Sequence, residues 1–541
     1  MLTKQIVKSV LLVLALAGGW NVARAQSADM KSTPLLTVTR FIVDGDNPLS
    51  DARTQALLAP HLGPHNSLTS IEAAAATLEK ALRDEGLSFH RVIVPAQKPE
   101  GGVLRLRVLR FTLAELNVSG NRYFSRENIL RALPSFKLGA STDVRELGRD
   151  LTLANEHPAK RLTVQFKESA KPDSISAGVI VRDVPAAQTF IGLTGNSRDF
   201  ENSLNRNTGY TRLTVGHQRS NLFDRDHALT VAYTTSPDHL NKVSQYGVFY
   251  WAPLYGYNTS INAYWTKSDV DSGAVGVGGV NFNVSGRGEF YGLRATYALP
   301  KFASVGQSVS LAVDSRYFQN SIGLLGGGAL PTTAVGSTPV TLKYMAKAEH
   351  PRVTLGAGVE YVANIGGGRA NNAAAYTTAR PQSNTNWDAI RWELDAQYNI
   401  AGRWSLGAKL RGQYSNDALI PGEQFGVGGV ASVRGLRERE ATGDRGYTAS
   451  LEFAAPAVYA GMTPFAFADF GHRSHVVAVA ATAPKDNVAS TGLGLRWNWE
   501  KGLDVMLTYA HVLNGTGNGA PGTNGTPRGH DKINFSLFYR F

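Results

Sequence analysis

Cysteine is absent from all 541 residues, so disulfides and thiolate-held metals are excluded. Long apolar runs are also missing: after residue 25 nothing approaches the roughly 18 consecutive apolar residues that a membrane-crossing helix requires. There is no His-Glu pair of the zinc-protease type and no Gly-Lys of a phosphate loop, and the twelve histidines are scattered without ligand spacing. The runs Gly326-Gly327-Gly328 and Gly366-Gly367-Gly368 fall in connecting segments, not at strand-to-helix turns, and read as flexible loops. No enzyme chemistry, cofactor or metal is expected. Charge of one sign is not concentrated either. The net charge of +12 is spread along the chain as single residues, which argues against nucleic acid as a partner.

The first residues carry an export pattern. Lys4 and Lys8 precede a short apolar run at 10–17, and Ala23-Arg24-Ala25 is a small-x-small cleavage site. Residues 1–25 are therefore predicted to be a signal peptide, with a mature start at Gln26 and a net charge of about +9. Such a chain leaves the cytoplasm with no helical anchor. Its hydrophobic content of 43% and mean hydropathy of −0.17 fit a soluble protein. They fit a membrane barrel equally, since only every second residue of a barrel strand must be apolar.

Residues 36–111 suggest an order β-α-α-β-β: strands at 36–43, 89–94 and 102–111, and helices at 51–58 and 70–84. The second helix places Ile71, Ala74, Leu78 and Leu82 on one face. Leu104, Val108 and Phe111 are candidate core residues, with Arg105, Arg107 and Arg110 outside. The order recurs over 112–183. Strands are expected at 113–118, 161–166 and 176–181, with helices at 125–132 and 143–154 capped by Ser125 and Asp143. Two small α+β domains follow, and their sheet edges suit strand addition by an extended peptide.

From 184 to 541 the helical period vanishes and alternation takes over. Trp404, Leu406, Ala408, Leu410 and Tyr414 oppose Ser405, Lys409, Arg411 and Gln413. Ile390, Trp392, Leu394, Ala396 and Tyr398 oppose Arg391, Glu393, Asp395 and Gln397. Leu493, Leu495, Trp497 and Trp499 oppose Arg496, Asn498 and Glu500. Alternation alone also fits a soluble sandwich. Connection lengths decide. Sixteen candidate strands start near 188, 209, 226, 243, 257, 289, 306, 338, 351, 388, 403, 446, 463, 488, 502 and 532. Connections after odd strands are long, except at 236–241, and those after even strands are short, as at His350-Pro351, Ala401-Gly402 and Glu500-Lys501-Gly502. Long outer loops, short periplasmic turns and an even strand count predict a transmembrane β-barrel of antiparallel strands. The last strand alternates Ile533, Phe535, Leu537 and Tyr539 up to a terminal Phe541, a candidate barrel-assembly signal.

The sixth outer loop, 415–445, is the longest and has few evident anchors. It contains Val433-Arg434-Gly435-Leu436. The second strand beyond it contains Phe467-x-Asp469-x-Gly471, whose named residues should face the lumen. A planar guanidinium there could bind the carboxylate through two hydrogen bonds and hold the loop tip inside.

Taken together, these features resemble the two-partner secretion transporters (TpsB type, hemolysin secretion/activation proteins), in the BamA-like superfamily of barrel-assembly proteins. Val94-Pro95-Ala96-Gln97 before Gly101-Gly102-Val103 adds to the likeness. The resemblance implies that the two front domains are POTRA domains, at 36–111 and 112–183. They would capture an unfolded, TpsA-like, β-helical partner, and the barrel at 184–541 would conduct it without ATP. It implies further contacts with the lipid bilayer, lipopolysaccharide and the barrel-assembly machinery. It also implies that Arg434 and Asp469 form the contact between loop and barrel. Two departures stand out. Leu436 replaces the family's usual aromatic residue. The ten residues between Gln26 and the first strand leave little room for the plug helix that many members carry, so the sixth loop should do the occluding. An assembly factor of the same superfamily is the main alternative, although two front domains are few for one. A plain porin or solute channel is the other, against which the front domains and the Arg434 loop argue.

Overall fold

The computed structural model describes residues 36–541 apart from 66, 197–209, 242, 270–272, 278–279, 285–286, 303, 321–332, 478–482, 500–501 and 517–524. The export segment, the Gly326–Gly328 run, and Glu500 and Lys501 lie outside the described residues. The chain forms two compact units, one of 36–85 with 90–109 and one of 86–89 with 110–541.

The first unit is an α+β domain. Its strands are β1 (Leu36–Val38), β2 (Arg40–Gly45), β3 (Gly63–His65), β4 (His90–Ile93) and β5 (Val103–Arg110), and its helices are α1 (Asp51–Leu58) and α2 (Leu68–Asp84). The main sheet runs β2-β5-β4 with β2 and β5 parallel. Ile71, Ala74, Leu78 and Leu82 of α2 are buried, as are Leu104 and Val108 of β5, while Arg105, Arg107 and Arg110 are exposed. The single strand expected at 36–43 is broken at Thr39. Its first piece turns away to pair with β3, which lacks any alternating signal of its own.

The second unit opens with a similar domain: β6 (Thr112–Ser119), α3 (Arg126–Arg131), α4 (Val144–Ala154), β7 (Lys160–Glu168) and β8 (Ser174–Asp183), with sheet order β6-β8-β7. Both predicted caps form. The Ser125 hydroxyl accepts the amide of Asn128 at 3.1 Å, and the Asp143 carboxylate accepts that of Arg145 at 2.7 Å.

The rest is a closed antiparallel barrel of sixteen strands, from Ala187–Asn196 to Asp531–Arg540. One strand is interrupted at Thr338, between Thr333–Ser337 and Pro339–His350. Each predicted strand start lies close to an observed one because alternation and turn spacing are local signals. Closure is by the last strand on the first, Asn534–Arg540 against Asn196–Phe190. Phe541 extends that pairing, exchanging backbone hydrogen bonds of 2.8 and 2.9 Å with Thr189. Its ring stacks on Tyr539. Large apolar side chains such as Leu293, Leu311, Leu451 and Leu493 cover the outward face, suited to lipid. Three outer connections hold elements that sequence periodicity is too short to reveal. They are a hairpin of Gly273–Val277 and Val280–Val284, a helix α5 (Ala373–Ala379), and a hairpin of Phe425–Val427 and Ala441–Gly443 in the sixth loop.

The second domain is seated on the barrel through buried polar groups. His157 donates from Nε2 to the Ser220 carbonyl at 2.5 Å, while its Nδ1 accepts the amide of Ala159 at 3.2 Å. That tautomer is neutral. Burial, with Lys160 adding to it and Asp226 opposing it, pushes its pKa down from 6.5 to about 4. A seated His157 therefore refuses a proton that an unseated one accepts. Seating is at full strength above pH 6.5 and weakens as the pH falls toward 4, by up to about 3 kcal/mol. Thermal unfolding followed by tryptophan fluorescence should accordingly shift downward between pH 7.5 and 5.0, and His157→Phe should reduce that shift. Equal shifts in the two proteins would assign the acid response to other groups.

Candidate functional site

The sixth loop turns back into the barrel instead of extending from it. The loop expected to have few anchors is thus among the best anchored segments of the chain, and Arg445 opens the following strand instead of closing the loop. Val427, Val433 and Leu436 are buried together with Ala441 of the loop and with Val488 and Val512 of the wall. Leu436, a branched aliphatic, fills this apolar pocket. Its burial is worth about 2 kcal/mol.

Arg434 is the centre of the contact. Its Nη2 donates to Asp469 Oδ1 at 2.6 Å, its Nε to Asp469 Oδ2 at 2.7 Å, and its own backbone amide to Oδ2 at 3.1 Å. Nη1 reaches Glu452 at 2.7 Å and Nη2 also reaches Ser450 at 3.0 Å. The guanidinium carbon lies 3.5 Å from the centre of the Phe467 ring, a desolvated cation–π contact. Glu452 in turn pairs with Arg496, two strands further on. Arg434 and Asp469 are 5% and 3% exposed, so neither charge is compensated by bulk water. The strand Met462–Ser474 presents Phe467, Asp469 and Gly471 on one face by its two-residue period, toward the loop.

The two glycines make room. Gly435 has φ of +96°, and a Cβ there would lie 2.8 Å from Val512. A Cβ on Gly471 would lie 2.3 Å from Val427 and 3.0 Å from Val433, so the loop reaches the wall only where the wall has no side chain. All eight residues singled out from sequence are accounted for. Seven of them meet at this contact, while Phe541 stands apart at the barrel seam.

Further anchors were not anticipated. Glu423, fully buried, accepts Ser337 at 2.6 Å, Arg316 at 2.8 Å and Arg391 at 3.2 Å. Asp444 binds Arg380, which follows α5 in the fifth outer loop, and accepts the amides of Leu419 at 2.9 Å and Val476 at 2.8 Å. Glu440 accepts Thr526 at 2.6 Å, and Lys532 of the last strand reaches the Leu436 carbonyl at 3.5 Å. Arg391 was legible as a lumen residue, but its partner Glu423 lies 32 positions away on a loop without periodicity. Below the loop lies a cavity of about 1190 Å³. The sixth-loop residues Glu423, Ser432 and Arg439 line it, as do the strand residues Arg294, Lys343 and Glu393 and the second-domain residues Glu156 and Arg161.

A barrel with two small domains before it and a sixth loop pinned in its lumen narrows the choice of families. The haemolysin secretion/activation protein ShlB/FhaC/HecB profile matches residues 194–497, and the ShlB-type POTRA profile matches 36–110. The chain belongs to the haemolysin secretion/activation protein family. It is 23% identical over 436 residues to the outer membrane transporter CdiB of Dickeya dadantii (strain 3937), covering 76% of this chain and 71% of that one. CdiB from Escherichia coli shares the fold with a TM-score of 0.77 at 15% identity, covering 100% of this chain and 98% of that one. CdiB from Acinetobacter baumannii does so at 0.69, also at 15% identity, covering 100% and 97%. This family member is an outer-membrane transporter that exports a partner protein, with its POTRA region in the periplasm.

Removing one partner from a buried pair leaves the other uncompensated, at a cost of about 3–5 kcal/mol. Arg434→Ala strands Asp469, whereas Asp469→Ala leaves Arg434 with Glu452 and Ser450. Arg434→Ala should therefore expose the loop to added protease more than Asp469→Ala does, and the double variant should resemble Arg434→Ala. Barrels that keep heat-modifiable migration are the comparison to make. Additive effects would show that the two residues act separately.

Proposed function

We propose that the sixth loop is the removable stopper of this transporter and that the lumen beneath it is the export path. Residues 1–25 act as the export signal, and 112–183 serve as a second POTRA domain beside that of 36–111. The POTRA domains capture the partner while it is unfolded, by adding it as a strand to an open sheet edge. The edges available are β2 and β4 in one sheet and β6 and β7 in the other. The captured chain enters the cavity, displaces the loop and folds outside as a β-helix. That folding makes return unfavourable and drives export without ATP. Phe541 and the aromatic last strand mark the chain for the barrel-assembly machinery, and the outward apolar face contacts lipid and lipopolysaccharide.

The observation that carries this reading is the kind of anchoring. The loop is held mainly by charged side chains that water can resolvate on release, over a cavity that is already open below it. Deleting residues 425–440 should raise the open probability of the purified protein in planar bilayers severalfold and lower secretion of the cognate partner. An unchanged open probability would place the occluding element elsewhere.

A further inference from the structure

The seat of the second domain contains an ion pair that occlusion by the sixth loop does not require. Lys160 opens β7 and is 1% exposed. Its Nζ donates to Asp226 Oδ2 at 2.5 Å and to Asn128 Oδ1 at 2.6 Å. Asp226, also 1% exposed, belongs to the first periplasmic turn of the barrel. The same Oδ2 accepts the hydroxyl of Tyr255, from the second periplasmic turn, at 2.6 Å. One carboxylate thus ties the second domain to two successive turns of the barrel.

The turn that supplies it is strained. Phe223, Asp224 and Asp226 have φ of 59°, 53° and 63°. That region is costly for a residue as bulky as phenylalanine, and such a backbone persists only where its surroundings over-determine it. The surroundings here are the second domain. Asn128 donates to Asn221 at 3.2 Å and to the Asp224 carbonyl at 3.3 Å, and Arg131 binds the same carbonyl. Apolar packing around Trp251 and Tyr255 already holds the domain against the barrel. Apolar contact is not directional, and a buried ion pair contributes little net stability relative to it. What the pair supplies is an angle. The residues on either side of Lys160 use that angle, since Glu156, Pro158 and Arg161 form part of the cavity wall.

We propose that Lys160 and Asp226 form a clasp that holds the 156–161 turn in the wall of the lumen, making both positioning residues for passage of the exported chain. The inference rests on the lumen being the export path. Loss of the clasp lets the turn swing, so the mouth of the cavity changes shape while the sixth loop stays in place.

The test uses the full-length protein carrying Lys160→Met or Asp226→Asn, with Tyr255→Phe as a milder variant that removes one hydrogen bond should the others fail to assemble. Ion conductance in planar bilayers reads the wall without any partner, and secretion of the cognate partner reads passage. Protease protection of the sixth loop is the control. The expected result is a noisier, larger open-state current, secretion lowered tenfold or more in the charge variants and less in Tyr255→Phe, and an unchanged sixth loop. Combining Lys160→Asp with Asp226→Lys should recover part of the secretion, which a general loss of packing would not allow. Wild-type conductance and secretion in folded variants would overturn the clasp. Altered conductance with wild-type secretion would overturn its role in passage and would count against the lumen as the path.

Discussion

A guanidinium enclosed by a protein wall must meet a carboxylate there or be expelled. Arg434 meets two, Asp469 and Glu452, and a ring face on Phe467 as well. The position of the sixth loop depends on this set of contacts. Val433 and Leu436 reach the wall because Arg434 between them is fixed, and the wall can receive them because Gly471 leaves a gap. The planar fork of arginine suits the site, and a lysine would satisfy only part of it.

Charged anchors suit the removable stopper proposed for the sixth loop. In the seated state each pair loses its hydration and regains most of it as mutual attraction. In the released state the same groups return to water, so the two states differ by less than the number of contacts suggests. An apolar plug of equal area would expose its whole surface on leaving. Glu423 and Asp444 extend the same logic to the two ends of the loop. Asp444 also links it to Arg380 of the fifth outer loop.

Much of this was legible in the sequence, and the reasons are physical. Alternation in Trp404–Tyr414 or Ile390–Tyr398 reports the two faces of a strand within ten residues, and the turns punctuate it. The Arg434 contact was legible through the resemblance of its motif and of Phe467-x-Asp469-x-Gly471 to a known family, not through any local period. The hairpin at Phe425–Val427, the helix at Ala373–Ala379 and the Glu423 contacts were not legible. Their stability comes from partners in other loops and strands, and no local period encodes that. Lys160 was hidden for a related reason. A lysine at the start of an ordinary strand reads as solvated until Asp226, 66 positions later, is brought against it.

The central claim is that the sixth loop is a packed part of the barrel held there by Asp469. Hydrogen–deuterium exchange of the amides of 430–437 in the full-length protein tests it most directly. The account predicts slow exchange, comparable with that of the strand Met462–Ser474, and a rise of at least tenfold on Asp469→Asn. Exchange at the rate of a solvated loop, or protection indifferent to Asp469, would contradict it.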